Sequence, residues 1–264
     1  MTNRTIVVLW LVLVTLSPAG EAFAQDVIFE SEWFTSARTD LRTFPERLER
    51  DAKTTFLDRG NATALLCAGL ASVAMNKGPA DEDIADYFER YDTVDGLDAE
   101  ALGIIGSPAA HFPAAVVWYA ISAERHDEAS KERALTMFTA LTINGAVTVA
   151  LKAVRQNDRP GGEGWAWPSG HTSSSFTVAS VLHEFYGLKV GIPAYAGASL
   201  VAYRMMDVGD HWASDVVFGA TLGLVVGHTV ARNHGMPEVA GFEILPYYGN
   251  PETPAIGISL ARQF

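Results

Sequence analysis

The stretch Lys152-Ala-Val-Arg-Gln-Asn-Asp-Arg-Pro-Gly-Gly-Glu-Gly-Trp-Ala-Trp-Pro-Ser-Gly-His171 decides how the chain folds around its polar groups. Apolar segments at 134–154 and 172–186 flank it, so it predicts a connection between two core helices. Cations and an imidazole at the ends of apolar segments are the groups that a site for a phosphoryl dianion needs.

The two cations Lys152 and Arg159 predict one side of an anion site. If 134–154 is helical and continues, they lie seven residues apart, two turns along one face, and both can point at the same anion. Pro160 then ends the helix, because the residue before a proline is disfavoured in the α region. The cations would lie at a helix C-terminus, where the macrodipole favours positive charge.

Pro168, Ser169 and Gly170 directly precede the segment 172–186, which is predicted to be helical. Free backbone N–H groups at a helix start bind anions, and Gly170 has no Cβ to obstruct their approach. This block therefore predicts a second side of the same site.

Arg204 and the sequence His211-Trp-Ala-Ser-Asp215 form a third block between two further apolar segments. If this block is helical, His211 and Asp215 are four residues apart on one face. Asp215 can then accept the N–H of one ring nitrogen of His211 and leave the other nitrogen as a nucleophile. The same spacing also suits a surface pair or two metal ligands.

Lys-x6-Arg-Pro, Pro-Ser-Gly-His and Arg…His-x3-Asp, in this order, resemble the signature of one superfamily over roughly residues 55–232. It comprises type 2 phosphatidic acid phosphatases, bacterial non-specific acid phosphatases and vanadium-dependent haloperoxidases. The resemblance implies that His211 attacks phosphorus, Asp215 orients it and His171 protonates the leaving oxygen. It implies that the phosphoryl oxygens are bound by Lys152, Arg159, Ser169, Gly170 and Arg204.

The third block departs from the family pattern in two ways. The usual Ser-Arg pair is Tyr203-Arg204 here, and six residues precede His211 where the family usually has five. We expect a bulge at Gly209 to absorb the extra residue, so that Arg204 still binds phosphate. Arg155 is the candidate to replace it otherwise.

The function that follows is a metal-independent phosphatase for phosphomonoesters or diphosphates, with lipid phosphates favoured, acting through a phosphohistidine. No cofactor is expected, and vanadate should bind as a phosphate mimic. A metal hydrolase is disfavoured because the chain has no His-Glu-x-x-His or cysteine-rich ligand set and its cations would repel a metal. Ser169 lacks the Gly-x-Ser-x-Gly elbow of a serine hydrolase.

Two other functions remain open. A vanadium-dependent haloperoxidase would hold vanadate with the same cations and coordinate it through His211. A non-catalytic phosphate or phospholipid-binding protein would need neither His171 nor the pair of His211 and Asp215. Trp165 and Trp167, beside the site, would either form a wall for a lipid chain or belong to the core.

Six apolar segments rich in Ala, Leu and Met predict an all-α fold, a bundle of six core helices with the phosphate site at the helix ends. The segments are 61–75, 101–123, 134–154, 172–186, 190–203 and 215–231. Polar helices are expected around 41–56 and, exposed, at 84–91. We predict a helical phosphatase domain at 25–235 and a C-terminal appendage at 236–264 with a short β-hairpin.

Residues 1–24 have the features of a secretory signal peptide: Arg4, an apolar core at 6–16 and the Ala22-Phe23-Ala24 cleavage site. We therefore expect an exported, periplasmic protein, soluble or membrane-associated. The alternative is an integral inner-membrane protein with its site facing the periplasm, although only 101–123 has an uncharged run of spanning length.

The net charge limits the classes of binding partner, and the cysteine content limits the possible disulfides. The chain has a formal net charge of −12 and no run of Lys or Arg, which argues against nucleic acid as a partner. Its cations are concentrated at the proposed site instead, so the expected partner is a phosphorylated small molecule or lipid. Cys67 is the only cysteine, so the chain cannot form an intramolecular disulfide.

Overall fold

The computed structural model describes residues 31–91 and 96–235 and the backbone of three short strands beyond them. The described helices are α1 Glu32–Leu57, α2 Arg59–Lys77, α3 Ala80–Arg90, α4 Gly96–Ile105, α5 Pro108–Glu124, α6 Glu128–Arg155, α7 Gly170–Tyr186, α8 Leu188–Asp207 and α9 Ala213–Asn233. The strands are β1 Glu238–Val239, β2 Phe242–Tyr248 and β3 Ile256–Ala261. The predicted signal peptide at 1–24 lies outside the described residues.

The predicted all-α bundle is confirmed, but the segment 101–123 is not one helix. Ser107 has an extended backbone, its side chain accepts the N–H of Ala110 at 3.2 Å, and Pro108 takes the first helical position. These are helix-start signals, so the chain ends α4 and begins α5 there. The two helices have only 10 and 17 residues, and the prediction of a single spanning-length segment is wrong.

Helix α9 forms the centre of the bundle and packs on α7, α2 and α6. Its glycines at 219, 223 and 227 recur every four residues on the face toward α7. A Cβ on Gly223 would lie 2.3 Å from the carbonyl oxygen of Ser173, and one on Gly227 would lie 2.7 Å from that of Thr177. The absent side chains therefore allow the two helix backbones to approach closely.

We expect Gly223→Ala to lower the free energy of unfolding by about 2 kcal/mol, because the added methyl group must displace backbone atoms of α7. The matched control is Gly197→Ala in α8, where an added Cβ would meet nothing within 4 Å. That change should stabilise the protein by up to about 1 kcal/mol through helix propensity. Urea unfolding followed by circular dichroism measures both, and equal effects would contradict the packing argument.

The two polar helices differ from their predicted form. Helix α1 is longer than the predicted 41–56, and α3 at 80–90 is not simply exposed as predicted for 84–91. Phe88 is buried, with its ring 5.1 Å from that of Tyr203, and the Asp81 side chain is buried against the start of α9. These two long-range contacts attach the acidic segment to the bundle, which its charge alone did not indicate.

Residues 234–264 form a second compact unit. In it β2 pairs antiparallel with β3, with Tyr248 opposite Ile256, and β1 adds a further antiparallel strand beside β2.

Two of the described helices, α6 and α9, are long and apolar enough to cross a membrane by length and composition. Half of the apolar window of α6 and 67% of that of α9 are buried within the bundle. Core helices of soluble proteins show the same pattern. The membrane candidates are therefore different helices from the one that the sequence suggested.

Candidate active site

The site lies at one end of the bundle, where the end of α6, the start of α7 and the connection from α8 to α9 meet. Helix α6 ends at Arg155, because Gln156 has a left-handed backbone with φ of 48°. The prediction that Lys152 and Arg159 share a helical face is therefore wrong. The loop folds back instead: the side chain of Asn157 accepts the N–H of Trp167 at 2.9 Å.

This folded loop still brings Lys152 close to the other charges. Its ammonium group donates to the carbonyl oxygen of Ala166 at 3.0 Å and to that of Trp165. Burial lowers the pKa of Lys152 to about 8; the charge of Asp215 opposes this shift and that of Arg159 adds to it. Lys152 thus lies in the electrostatic field of both Asp215 and Arg159.

Ser169 is the N-cap of α7 and is fully buried. Its hydroxyl accepts the N–H of Thr172 at 3.3 Å and donates to the Thr172 hydroxyl at 2.9 Å, while its backbone N–H donates to the carbonyl oxygen of Asp215 at 3.1 Å. Gly170 opens the helix, and its first-turn N–H has no acceptor within the helix. The nearest atom to a Cβ there would be a methyl of Thr148 at 3.8 Å, an ordinary van der Waals contact.

His211 precedes α9, which begins at Ala213, so the predicted common helical face of His211 and Asp215 is wrong. The pair still forms: Nδ1 of His211 lies 3.4 Å from Oδ2 of Asp215, which also accepts the N–H of Trp212 at 3.0 Å. The carboxylate of Asp215 therefore both caps the start of α9 and orients the imidazole ring of His211. With Nδ1 directed at Asp215, Nε2 is the ring nitrogen left for a ligand.

Both members of this pair are buried, His211 with 4% and Asp215 with 1% of the residue exposed. Burial lowers the pKa of His211, and the hydrogen bond that its ring donates to Asp215 opposes that shift. The positive charges of Lys152 and Arg159 lower it further. His211 is therefore favoured in its neutral, nucleophilic form.

The connection between α8 and α9 accommodates the extra residue at Gly209, whose φ is 70°. The N–H of His211 donates to the carbonyl oxygen of Met205 at 2.9 Å and closes the turn. Arg204 Nη1 lies 3.1 Å from one oxygen of Asp210, and Arg159 Nη1 lies 3.5 Å from the other. Two of the predicted phosphate-binding cations are thus joined by one carboxylate.

His171, in the first turn of α7, lies close enough to His211, Asp210 and Arg204 for their charges to affect it. Burial holds its pKa well below the usual value, at about 4. The charge of His211 lowers this pKa and that of Asp210 opposes the shift, while Arg204 and His111 lower it further. The structure therefore brings together all the residues that the sequence proposed for catalysis and phosphate binding.

Sequence reasoning missed three residues that the structure adds to this region. Asp81 accepts the N–H of Ser214 at 2.9 Å and its hydroxyl at 2.6 Å, which anchors the start of α9. His111 Nδ1 lies 2.6 Å from the hydroxyl of Ser174. Asp210 was visible only as part of the unusual spacing before His211, and nothing in the local sequence marks the other two.

Arg155 and the tryptophans have other roles. Arg155 donates to the side-chain carbonyl of Asn76 at 3.0 Å and lies over the ring of Trp167, 5.6 Å from its centroid. Trp167 packs on Phe218 at 4.4 Å between centroids, as a core residue would. Trp165 alone is half exposed, at 49%. In the part of the chain that the structure describes, no group of three or more His, Cys, Asp or Glu residues could hold a metal ion.

Parts of this chain are similar in sequence or fold to known proteins. The family model of the PAP2 superfamily matches residues 133–237. Over 65 residues the chain is 37% identical to a lipid A 1-phosphatase of Porphyromonas gingivalis, an alignment that spans 24% of this chain and only 15% of that relative. A transmembrane PAP2 type phosphatidylglycerolphosphate phosphatase from Bacillus subtilis superimposes with a TM-score of 0.55 at 21% identity, over 64% of this chain and 92% of that chain. The latter similarity is one of fold.

Proposed function

We propose that the chain is a phosphatase that hydrolyses phosphomonoesters or diphosphates through a phosphohistidine, without a metal ion; the match of the PAP2 family model to residues 133–237 supports this. We propose lipid phosphates as its favoured substrates and a location outside the cytoplasm. The lipid A 1-phosphatase relative and the two apolar helices support the lipid class. The predicted signal peptide supports the location.

One observation carries the proposal: the buried imidazole of His211 is held through Nδ1 by Asp215, in the electrostatic field of Lys152 and Arg159. A nucleophilic histidine needs one fixed tautomer, and a phosphoryl group needs a cationic clamp for its equatorial oxygens. Arg159 Nε is buried and has no acceptor among the described residues, so it remains available as a donor to such an oxygen.

In the first step, the lone pair on Nε2 of His211 attacks phosphorus, and the bond to the ester oxygen breaks. His171 gives its proton to that oxygen, and the alcohol leaves. The phosphoryl oxygens are held by Lys152, Arg159 and Arg204 and by the first amides of α7. Asp215 stabilises the positive charge that develops on the His211 ring.

In the second step, water attacks the phosphohistidine. His171, now neutral, accepts a proton from that water, the P–N bond breaks, and its electron pair returns to Nε2 of His211. Phosphate leaves and both histidines regain their starting states. Orthovanadate has the shape and charge of the transferred group, so we expect it to bind the same clamp and inhibit.

The test is release of inorganic phosphate in the presence of EDTA. Phosphatidic acid, phosphatidylglycerol phosphate and an isoprenyl diphosphate in mixed micelles are compared with p-nitrophenyl phosphate. We expect turnover of at least one lipid phosphate that EDTA leaves unchanged and that orthovanadate inhibits. Turnover that requires an added divalent metal would contradict the proposal, and so would no turnover of any of these esters.

The histidine pKa values predict a specific pH dependence. His171 must be protonated to act, so kcat/KM should fall as pH rises through its depressed pKa. A bound phosphoryl anion raises that pKa, so the alkaline limb of kcat should lie at higher pH than that of kcat/KM. His211 must be neutral to attack, and burial lowers its pKa, so the acidic limb should lie below the ordinary range of a histidine. Steady-state profiles from pH 3 to 8 measure both limbs, and coincident alkaline limbs would exclude this role for His171.

A further inference from the structure

Asp210 is the last of the six residues between Arg204 and His211 and directly precedes the proposed nucleophile. Its two carboxylate oxygens contact different guanidinium groups: Oδ2 lies 3.1 Å from Arg204 Nη1 and Oδ1 lies 3.5 Å from Arg159 Nη1. The three side chains come from the loop after α6, the end of α8 and the turn before α9. Asp210 is thus the residue through which two separate segments of the phosphate clamp are joined.

The contact is made by Nη1 of each guanidinium group. Arg159 keeps a buried Nε without an acceptor in the described part of the chain, and the guanidinium of Arg204 lies against α4, where a Cβ on Gly103 would be 3.1 Å from its Cζ. The side chains of Arg159 and Arg204 are 28% and 18% exposed, so neither is freely mobile in solvent. Asp210 therefore limits the separation of the two guanidinium groups, while the buried Nε of Arg159 stays available for a phosphoryl oxygen.

A carboxylate in this position has two opposing electrostatic effects. It offsets the repulsion between two neighbouring cations, which keeps them in place before the substrate arrives. It also repels a bound phosphate dianion, which weakens the binding of substrate and product alike. Holding the clamp in the geometry of the transition state raises kcat, whereas equal weakening of both ground states mainly raises KM.

We propose that Asp210 is a positioning residue that holds Arg159 and Arg204 in the geometry for phosphoryl transfer and weakens the retention of free phosphate. The proposal rests on the proposed phosphatase function for its kinetic consequences, but not for its effect on phosphate binding. The negative charge of Asp210 also opposes the low pKa of His171, which favours the protonated form of the proton donor.

The test compares Asp210→Asn with Asp210→Glu and with the control Glu163→Gln. Among the described residues Glu163 forms an ion pair with Arg159, at 3.2 Å, and not with Arg204. Its side chain is 79% exposed, so its removal deletes one carboxylate without separating the two arginines. For each variant we measure kcat, KM and the pH profile on the best ester. The affinity for inorganic phosphate is measured by calorimetry on the intact protein at pH 7, which needs no turnover.

For Asp210→Asn we expect kcat to fall by at least about tenfold, while phosphate binds at least about threefold more tightly because a negative charge has been removed. The alkaline limb of kcat/KM should move to lower pH. Asp210→Glu keeps the charge but moves the carboxylate, so it should restore phosphate affinity and the limb without restoring kcat fully. Glu163→Gln should stay within about twofold of the parent in kcat.

Phosphate affinity and kcat unchanged in Asp210→Asn would overturn the proposal. A lower kcat with unchanged affinity and an unchanged pH profile would also overturn it, because a merely structural defect reduces the active fraction in that way. Tighter phosphate binding by Asp210→Asn in a protein that hydrolyses none of the esters would support the role of Asp210 in the anion site while rejecting the proposed function.

Discussion

Replacement of His211 by alanine is expected to abolish turnover, with kcat lower by at least about 10⁴-fold, because it removes the proposed nucleophile that would accept the phosphoryl group. The loss should be complete for good and poor leaving groups alike. Acid quenching during turnover of ³²P-labelled substrate in EDTA should leave an acid-labile, base-stable label on the parent protein. The label should be absent from His211→Ala.

His171→Ala is the matched comparison, since it removes an imidazole from the same cluster but not the nucleophile. The label should still form with p-nitrophenyl phosphate, whose leaving group needs little protonation, and should form far more slowly with alkyl phosphates. Full turnover by His211→Ala would refute the mechanism. Equal losses in the two variants for every leaving group would refute the division of roles between the histidines.

Arg204→Ala is expected to lower kcat/KM by about 10²-fold to 10³-fold, the loss that follows removal of one charged donor from a transition state. Arg204→Lys should recover only part of this, because an ammonium group cannot replace the planar guanidinium that contacts Asp210 and, in the proposed clamp, would also bind the phosphoryl oxygens. Steady-state kinetics on the same ester measure both variants, and circular dichroism confirms that each is folded.

Arg155→Ala is the control for this change. Arg155 is close in sequence, but its guanidinium contacts Asn76 and Trp167, so we expect a change in kcat/KM within about threefold. If Arg155→Ala proved as damaging as Arg204→Ala, the side chain of Arg155 would have to turn into the site during turnover. Arg204→Ala within about twofold of the parent would remove Arg204 from the clamp.

Local signals in the sequence account for most of the helical fold. The apolar segments at 61–75, 172–186 and 215–231 correspond to α2, α7 and α9 with shifts of a few residues at their ends. The error at 101–123 was also local: Gly106-Ser107-Pro108 is a helix-start signal inside an apolar run, and hydrophobicity outweighed it in the prediction. The partial burial of α3 was not predicted because it depends on long-range contacts of Phe88 and Asp81, which leave no pattern in the neighbouring sequence.

For the site, the sequence supplied residue types and order but not their arrangement. Two geometric arguments were wrong, because neither Arg159 nor His211 is in a helix. Their expected partners are nevertheless nearby, since the loop after Gln156 folds back and Asp215 reaches His211 from the first turn of α9. The chemical inference was less sensitive to backbone detail than the helical reasoning that led to it.

The sequence by itself determined the helical fold and the groups available for phosphate chemistry, because apolar periodicity, capping residues and prolines act within a few neighbouring residues. Only the tertiary structure decided which charges meet. Arg159 and Asp210 are 51 residues apart, and Asp81 and Ser214 are 133 residues apart. Such contacts depend on how closely helices pack, and the glycines of α9 set that distance toward α7. Close packing is cooperative over the whole bundle, so no single stretch of sequence specifies it.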